Sequence, residues 1–158
     1  WLLRNIIESF YSRNENIGLP LGNLTSQLFV NIYMNEFDQF VKHKLRATYY
    51  IRYADDFVIF SVDRKLLERI IPYIQNFLQE KLRLELHPDK LFLKTLASGV
   101  DFLGWIHFPD HRILRTSTKK RMFRAISRKH GNKETIQSYR GLLKHGNAQK
   151  LMRIVSGS

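Results

Sequence analysis

A chain of 158 residues, 44% of them hydrophobic, is long enough for one domain or one and a half with a genuine core. It contains no cysteine, which excludes disulfides and thiolate metal sites, and its apolar runs are far too short to span a membrane. The net charge of +12 sits at one end: residues 1–110 hold 13 Lys/Arg and 13 Asp/Glu, whereas residues 111–158 hold 13 Lys/Arg and the single acid Glu134. A neutral body joined to a nearly acid-free basic segment fits a polyanion partner. No N-terminal stretch has the order of a signal peptide, and nothing points to secretion. The opening Trp1-Leu2-Leu3, with no Met, leads us to expect a piece of a longer protein.

In chain order, Leu3, Ile6, Ile7 and Phe10 recur at helical spacing and predict a helix over 2–11. A loop follows, ending in Gly18-Leu19-Pro20. A long helix is predicted over about 23–45, capped by Asn23 or Thr25, with Leu24, Leu28, Ile32, Phe37, Phe40 and Val41 as its buried stripe. Residues 49–53 and 57–61 are β-prone strands, and Ala54-Asp55-Asp56 is the turn between them. Asp63 caps a second helix over about 64–81, with Leu66, Leu67, Ile70, Ile74, Phe77 and Leu78 inward and a kink expected at Pro72. Residues 82–86 alternate apolar and polar and read as a short strand. His87-Pro88-Asp89 is a turn. Residues 91–93 and 100–108 read as strands about a Gly99 turn, and 109–112 closes a hairpin into Ile113-Leu114. Three basic helices complete the chain, over about 116–130, 133–145 and 148–155, with Gly131-Asn132 and Gly146-Asn147 between them. The change of character places a boundary near Arg115.

The two adjacent acids in the turn 54–56 are the most informative feature. Like charges at a hairpin tip repel unless something positive sits there. A divalent cation removes that penalty, and Mg²⁺ favours one or two carboxylates plus substrate phosphates over an all-protein cage. The pair therefore points to metal-assisted phosphoryl chemistry. The six histidines lack metal-ligand spacing, so no zinc site is expected, and no Ser-His-Asp set or Walker loop is visible.

Four separated signals stand in one order: Gly18-Leu19-Pro20-Leu21-Gly22-Asn23-Leu24-Thr25-Ser26-Gln27, Tyr53-Ala54-Asp55-Asp56, Leu86-His87-Pro88-Asp89-Lys90, and Phe102-Leu103-Gly104-Trp105. As a set they resemble the palm of reverse transcriptases, over nearly the whole chain. The stretch from Leu21 to Gln27 is similar to the form found in diversity-generating retroelement enzymes. Retroviral and group II intron enzymes more often have Gln where Leu21 stands and Pro where Gln27 stands. Ser138 to Ala148 resembles the start of the family's helical thumb.

The resemblance implies a role for each matched position. Asp55 would be the principal Mg²⁺ ligand and Asp56 a supporting one, with two ions in the full-length enzyme. Pro20, Leu21, Gly22 and Gln27 would shape the nucleotide site, with Tyr53 beside the metals. Lys90 would act as a general acid toward pyrophosphate, with Lys94 a rival. Phe102, Leu103, Gly104 and Trp105 would form the primer grip. Lys119, Lys120, Arg121, Arg124, Arg128 and Lys129 would contact nucleic-acid phosphates, with Met122, Phe123 and Ile126 facing inward. Arg52 receives no role.

The expected fold is α+β: an antiparallel palm sheet packed on two helices (1–115), then a basic helical thumb segment (116–158), together a fragment of a right-hand polymerase fold. No residue of 1–16 matches the strand that carries the family's third Asp, so fingers and first palm strand are expected to be absent and the fragment inactive alone. Its open sheet edge would allow dimerisation. The implied function is RNA-directed DNA polymerisation, with RNA template, DNA primer and deoxynucleotides as partners, an accessory protein as a further option, no membrane, and a cytoplasmic, bacterial or phage-encoded setting. The alternative is a reverse-transcriptase-like RNA-binding scaffold or splicing cofactor.

Overall fold

The computed structural model describes residues 4–5, 24–128 and 132–156. Its architecture is α+β, and the chain divides into two compact units, Trp1–Leu91 and Phe92–Ser158. Of the helix expected over 2–11, only Arg4 and Asn5 are described, and both are helical.

In the first unit, helix α1 spans Leu24–Gln39 and continues as a π-helical turn, Phe40–Lys44. Strands β1 (Tyr49–Tyr53) and β2 (Asp56–Phe60) pair antiparallel, Tyr49 opposite Phe60 and Tyr53 opposite Asp56. Helix α2 spans Arg64–Leu82. Asp63 caps it as expected, its Oδ1 accepting from the Lys65 and Leu66 amides at 2.9 and 3.2 Å. The helix runs through Pro72, whose missing N–H removes one helical hydrogen bond.

Phe37 organises this unit. It is fully buried among Met34, Val41, Ile70, Ile74 and Leu78. Its ring lies 4.8 Å from Phe57 and 6.1 Å from Tyr50, so the hairpin is seated on α1 through aromatic contacts. Each such pair contributes about 0.5–1.5 kcal/mol beyond its area. Of the expected stripe, Phe37 and Val41 are buried and Phe40 partly so, but towards the start of α1 the row runs through buried Met34 and partly buried Val30 instead. Leu28 and Ile32 are 56% and 62% exposed. Both stripes fit a 3.6-residue period, and sequence alone does not say which one the hairpin covers.

Two expected strands are absent. Residues 83–87 carry no regular structure, because α2 uses Leu82 as its last buried residue and Arg83 turns left-handed (φ 49°). The Leu84 amide then bonds back to the Leu78 carbonyl at 2.9 Å, closing the helix end. Residues 91–93 are likewise irregular.

The second unit opens with a three-stranded antiparallel sheet: β3 (Val100–Phe102), β4 (Trp105–His107) and β5 (Arg112–Leu114). The single strand expected over 100–108 is therefore a hairpin. Leu103 and Gly104 both have positive φ, 53° and 83°, the pattern of a tight two-residue turn. Helices α3 (Thr116–Arg128), α4 (Lys133–Leu143) and α5 (Gln149–Ser156) follow at the expected places. Trp105 and Leu114 share one core with Met122, Ile126, Leu143, Ala148 and Val155. Among the described residues, the small sheet thus packs on the helices that follow it, within the compact unit that begins at Phe92.

Phe37→Ala should destabilise the first unit by about 3–5 kcal/mol, the range for a buried aromatic truncated to a cavity. Phe37→Leu, which refills part of the space, should cost less. Urea denaturation followed by tyrosine fluorescence measures both, and equal midpoints for the two variants would contradict the central role of the ring.

Candidate metal and nucleic-acid site

Side-chain alternation gives the β1–β2 hairpin two faces. Tyr50, Phe57 and Ile59 pack against the helical core. Tyr49, Ile51 and Tyr53 are 66%, 55% and 56% exposed on the other face, which the register shares with Asp56. Ala54 and Asp55 make the two-residue turn, with Ala54 left-handed at φ 52°. Asp56 opens β2 rather than belonging to the turn, so the two carboxylates are neighbours at the tip, both exposed.

Among the described residues neither carboxylate has a side-chain hydrogen bond or ion-pair partner. The nearest cation in sequence, Arg52, is committed elsewhere. Its Nε and Nη2 donate to Asp38 Oδ1 and Oδ2 at 2.8 and 2.6 Å. Its Nη1 donates to the Ala54 carbonyl at 2.7 Å and to Asn31 Oδ1 at 3.2 Å. The Tyr50 hydroxyl donates to Asp38 Oδ1 at 2.6 Å. Sequence reading gave Arg52 no role; strand alternation put it on the side opposite Tyr53, and the missing signal was Asp38, on the adjacent helix and 14 residues upstream.

The Arg52 hydrogen bonds hold the Asp38 carboxyl below the usual carboxylate range, opposed by burial and reinforced by Tyr50. Burial, and then the bond to Asp38, push the Tyr50 hydroxyl above its ordinary value. Asp55 and Asp56 offer only hard oxygen donors with free lone pairs, which suits Mg²⁺ held by one or two carboxylates plus phosphate oxygens. Among the described residues no group of three or more His, Asp or Glu gathers into a fuller cage. The residues present fit a cation that takes its other ligands from substrate.

The remaining expected residues fall in different places. Pro20, Leu21 and Gly22 lie outside the described residues, as does Lys129. Gln27 is exposed on the first turns of α1. Lys90 is exposed at the end of a 3₁₀ turn, Pro88–Lys90, and its ammonium has no partner among the described residues. The rival Lys94 sits over the Phe92 ring, 4.9 Å from its centre.

Residues 102–105 form the β3–β4 turn of the second unit. Phe102 is half-buried and Leu103 exposed, whereas Trp105 is only 5% exposed and belongs to the core. Its ring is so tightly covered that a Cβ on Gly146 would lie 2.1 Å from it. The close approach at Gly104 is made by Thr118, whose Oγ1 would stand 3.2 Å from an added Cβ.

Helix α3 is sharply two-faced. Thr118, Met122 and Ile126 are buried, as expected for Met122 and Ile126. Lys120, Arg124 and Arg128 stand two positions on from each, about 200° around the axis. They form one exposed cationic row, and Lys119 and Arg121 are exposed beside it. Among the described residues no helix is long and apolar enough to cross a membrane.

A family model described as "Reverse transcriptase (RNA-dependent DNA polymerase)" matches residues 2–107. The chain belongs to that family, in agreement with the four ordered motifs. It is 28% identical over 147 residues to Protein YkfC of Escherichia coli, covering 73% of this chain and 37% of that protein. It is 22% identical over 170 residues to a COX1/OXI3 intron 2 protein of Saccharomyces cerevisiae, covering 73% of this chain and 19% of that protein. The chain thus spans about a third and a fifth of these relatives. One is bacterial and the other intron-encoded by name, in keeping with the affinity expected from the motifs.

The Asp38–Arg52 pair has a pH signature. A folded carboxyl held below its unfolded value of about 3.9 contributes stability that is full above that value and fades as pH falls through the lower folded one. Asp38→Asn should lose about 1–3 kcal/mol at neutral pH, the range for a hydrogen bond to a charged group. The gap between wild type and variant should narrow only below about pH 4. A pH series of urea midpoints measures this, and a gap that stayed constant down to about pH 2 would contradict it.

Proposed function

We propose that this chain is part of an RNA-directed DNA polymerase of retroelement type, comprising palm elements and the start of a helical thumb. The observation that carries the reading is the pair Asp55–Asp56: two exposed carboxylates at a hairpin tip, with no side-chain partner among the described residues, in a chain of the reverse transcriptase family. When bound there, divalent cations would activate the primer 3′-hydroxyl for attack on the α-phosphorus and stabilise the pyrophosphate as it leaves.

The protein's own residues then have separable tasks. Asp55 and Asp56 supply negative oxygens aimed away from the core. Tyr53 shares a strand face with Asp56 and offers an exposed ring there. Pro20, Leu21, Gly22 and Gln27 are assigned to deoxynucleotide binding by the family motif, and Lys90 to proton donation to the leaving group. Phe102, Leu103 and Gly104 grip the primer end by backbone and exposed side chain, while Trp105 supports that turn from beneath. Lys119, Lys120, Arg121, Arg124, Arg128 and Lys129 hold template–primer phosphates and carry no base information. The setting is cytoplasmic.

In the full-length protein, Asp55→Ala should lower primer extension on an RNA template by about a thousandfold or more, the scale of losing metal-borne charge stabilisation. Extension unchanged by the substitution would overturn the catalytic assignment. No extension by either protein, with RNA binding intact, would favour the scaffold reading.

Neutralising Lys120, Arg124 and Arg128 to Gln should weaken duplex binding at all sequences alike. The log–log salt slope should shrink by about 0.9 for each phosphate that the helix no longer neutralises. Fluorescence anisotropy across roughly 50 to 300 mM salt reads that slope, and an unchanged slope would remove α3 from the interface.

A further inference from the structure

Arg52 stands three residues before Asp55, and its side chain is only 9% exposed. An arginine so close to an acidic turn is an obvious counter-charge for it, yet the guanidinium faces the other way. Two of its N–H groups occupy both oxygens of Asp38, at 2.8 and 2.6 Å. The Tyr50 hydroxyl, 2.6 Å from Asp38 Oδ1, holds that carboxylate in place. The fork's remaining nitrogen reaches the Ala54 carbonyl at 2.7 Å. That carbonyl belongs to the peptide group leading directly into Asp55.

Ala54 has φ 52°, a left-handed conformation that costs a non-glycine residue about 1–2 kcal/mol. Such a conformation persists only where its surroundings over-determine it. The two-residue hairpin turn already calls for a positive φ there, and the Arg52 bond to the carbonyl of that same residue adds a second constraint. A lysine could not replace it, because one ammonium lacks the planar fork that serves a carboxylate and a carbonyl in two fixed directions.

We propose that Asp38, Arg52 and Tyr50 form a positioning device for the Asp55–Asp56 pair. Arg52 fixes the plane of the Ala54–Asp55 peptide and with it the direction of both carboxylates. Asp38 holds the guanidinium away from the acids, leaving their charge for a divalent cation. The proposal rests on the metal-binding reading of the pair given above.

The test is Mn²⁺ titration of the full-length protein, followed by electron paramagnetic resonance, with thermal unfolding measured on the same samples. Asp55→Ala serves as the control for the reading itself. Arg52→Lys and Asp38→Asn should each weaken Mn²⁺ binding by about 10- to 100-fold, the range for partners that orient ligands. Arg52→Lys should also lower kcat for primer extension while leaving KM for template–primer near wild type. Tyr50→Phe removes only the hydroxyl that holds Asp38 and keeps the ring in its packing, so it separates orientation from stability. It should lower the melting temperature less than Arg52→Lys does and still weaken Mn²⁺ binding.

If Asp55→Ala loses Mn²⁺ while Arg52→Lys, Asp38→Asn and Tyr50→Phe bind it as wild type does, the positioning role is overturned and the metal site stands. If Asp55→Ala binds Mn²⁺ as tightly as wild type, the metal reading fails and takes the proposal with it. Should Arg52→Lys or Asp38→Asn unfold, Tyr50→Phe decides the question alone.

Discussion

The two-sidedness of the β1–β2 hairpin is the constraint from which the site follows. Five residues in each strand, paired without a bulge, place every second side chain on the same face. One face carries Tyr50, Phe57 and Ile59 into the Phe37 core; the other carries Tyr53 and Asp56 outward. A one-residue slip would put Asp56 against the aromatic cluster and expose Phe57. The burial of Phe37 and its ring contacts therefore does more than stabilise the unit. It fixes the register, and the register decides that the acids face solvent.

Electrostatics adds a second condition. The proposed cation role requires that the tip acids not be satisfied from within, and the nearest cation in sequence is Arg52. A bidentate guanidinium–carboxylate pair is geometrically specific, and its net worth is greater when it is largely shut off from water. At the same separation, charges interact several-fold more strongly near a protein surface than in bulk water. Asp38, less exposed than Asp55 or Asp56, therefore outcompetes them for Arg52. The outcome is an internal pair that balances its own charge and a tip that keeps a local negative excess.

Much of this was legible in the chain. Strands expected at 49–53 and 57–61 from β-prone residues around two acids are found at 49–53 and 56–60, and the Asp63 cap followed from one side chain. The inward Met122 and Ile126 followed from the resemblance to the helical thumb, and they fit a helical period. Illegible features depended on non-local choices. The stripe of α1 could not be chosen because Leu28–Ile32 and Met34–Phe37–Val41 both fit the helix period, and only hairpin contacts select between them. The alternation at 82–86 imitated a strand, but no neighbouring strand takes it up, and burial of Leu82 extends the helix instead. Arg52 and Asp38 were missed because strand alternation predicts a side and not a partner.

The second unit shows how one motif divides between packing and contact. In Phe102-Leu103-Gly104-Trp105, the tryptophan is committed to the core with Met122 and Leu143, and the glycine is held against Thr118. The Gly104 carbonyl accepts the Arg115 amide at 3.0 Å, so the turn is also fastened to the start of α3. What remains outward is Leu103, 48% exposed, and the backbone of a tight turn. A turn fastened on its inner side loses little conformational entropy on meeting a ligand, which favours contact through shape and backbone over side-chain chemistry. The same logic holds on α3, where Thr118 beneath the turn is the first residue of the buried row and Lys120 the first of the cationic one. Packing of the turn thereby sets the rotation of the helix, and the rotation of the helix sets where the positive row points within this unit.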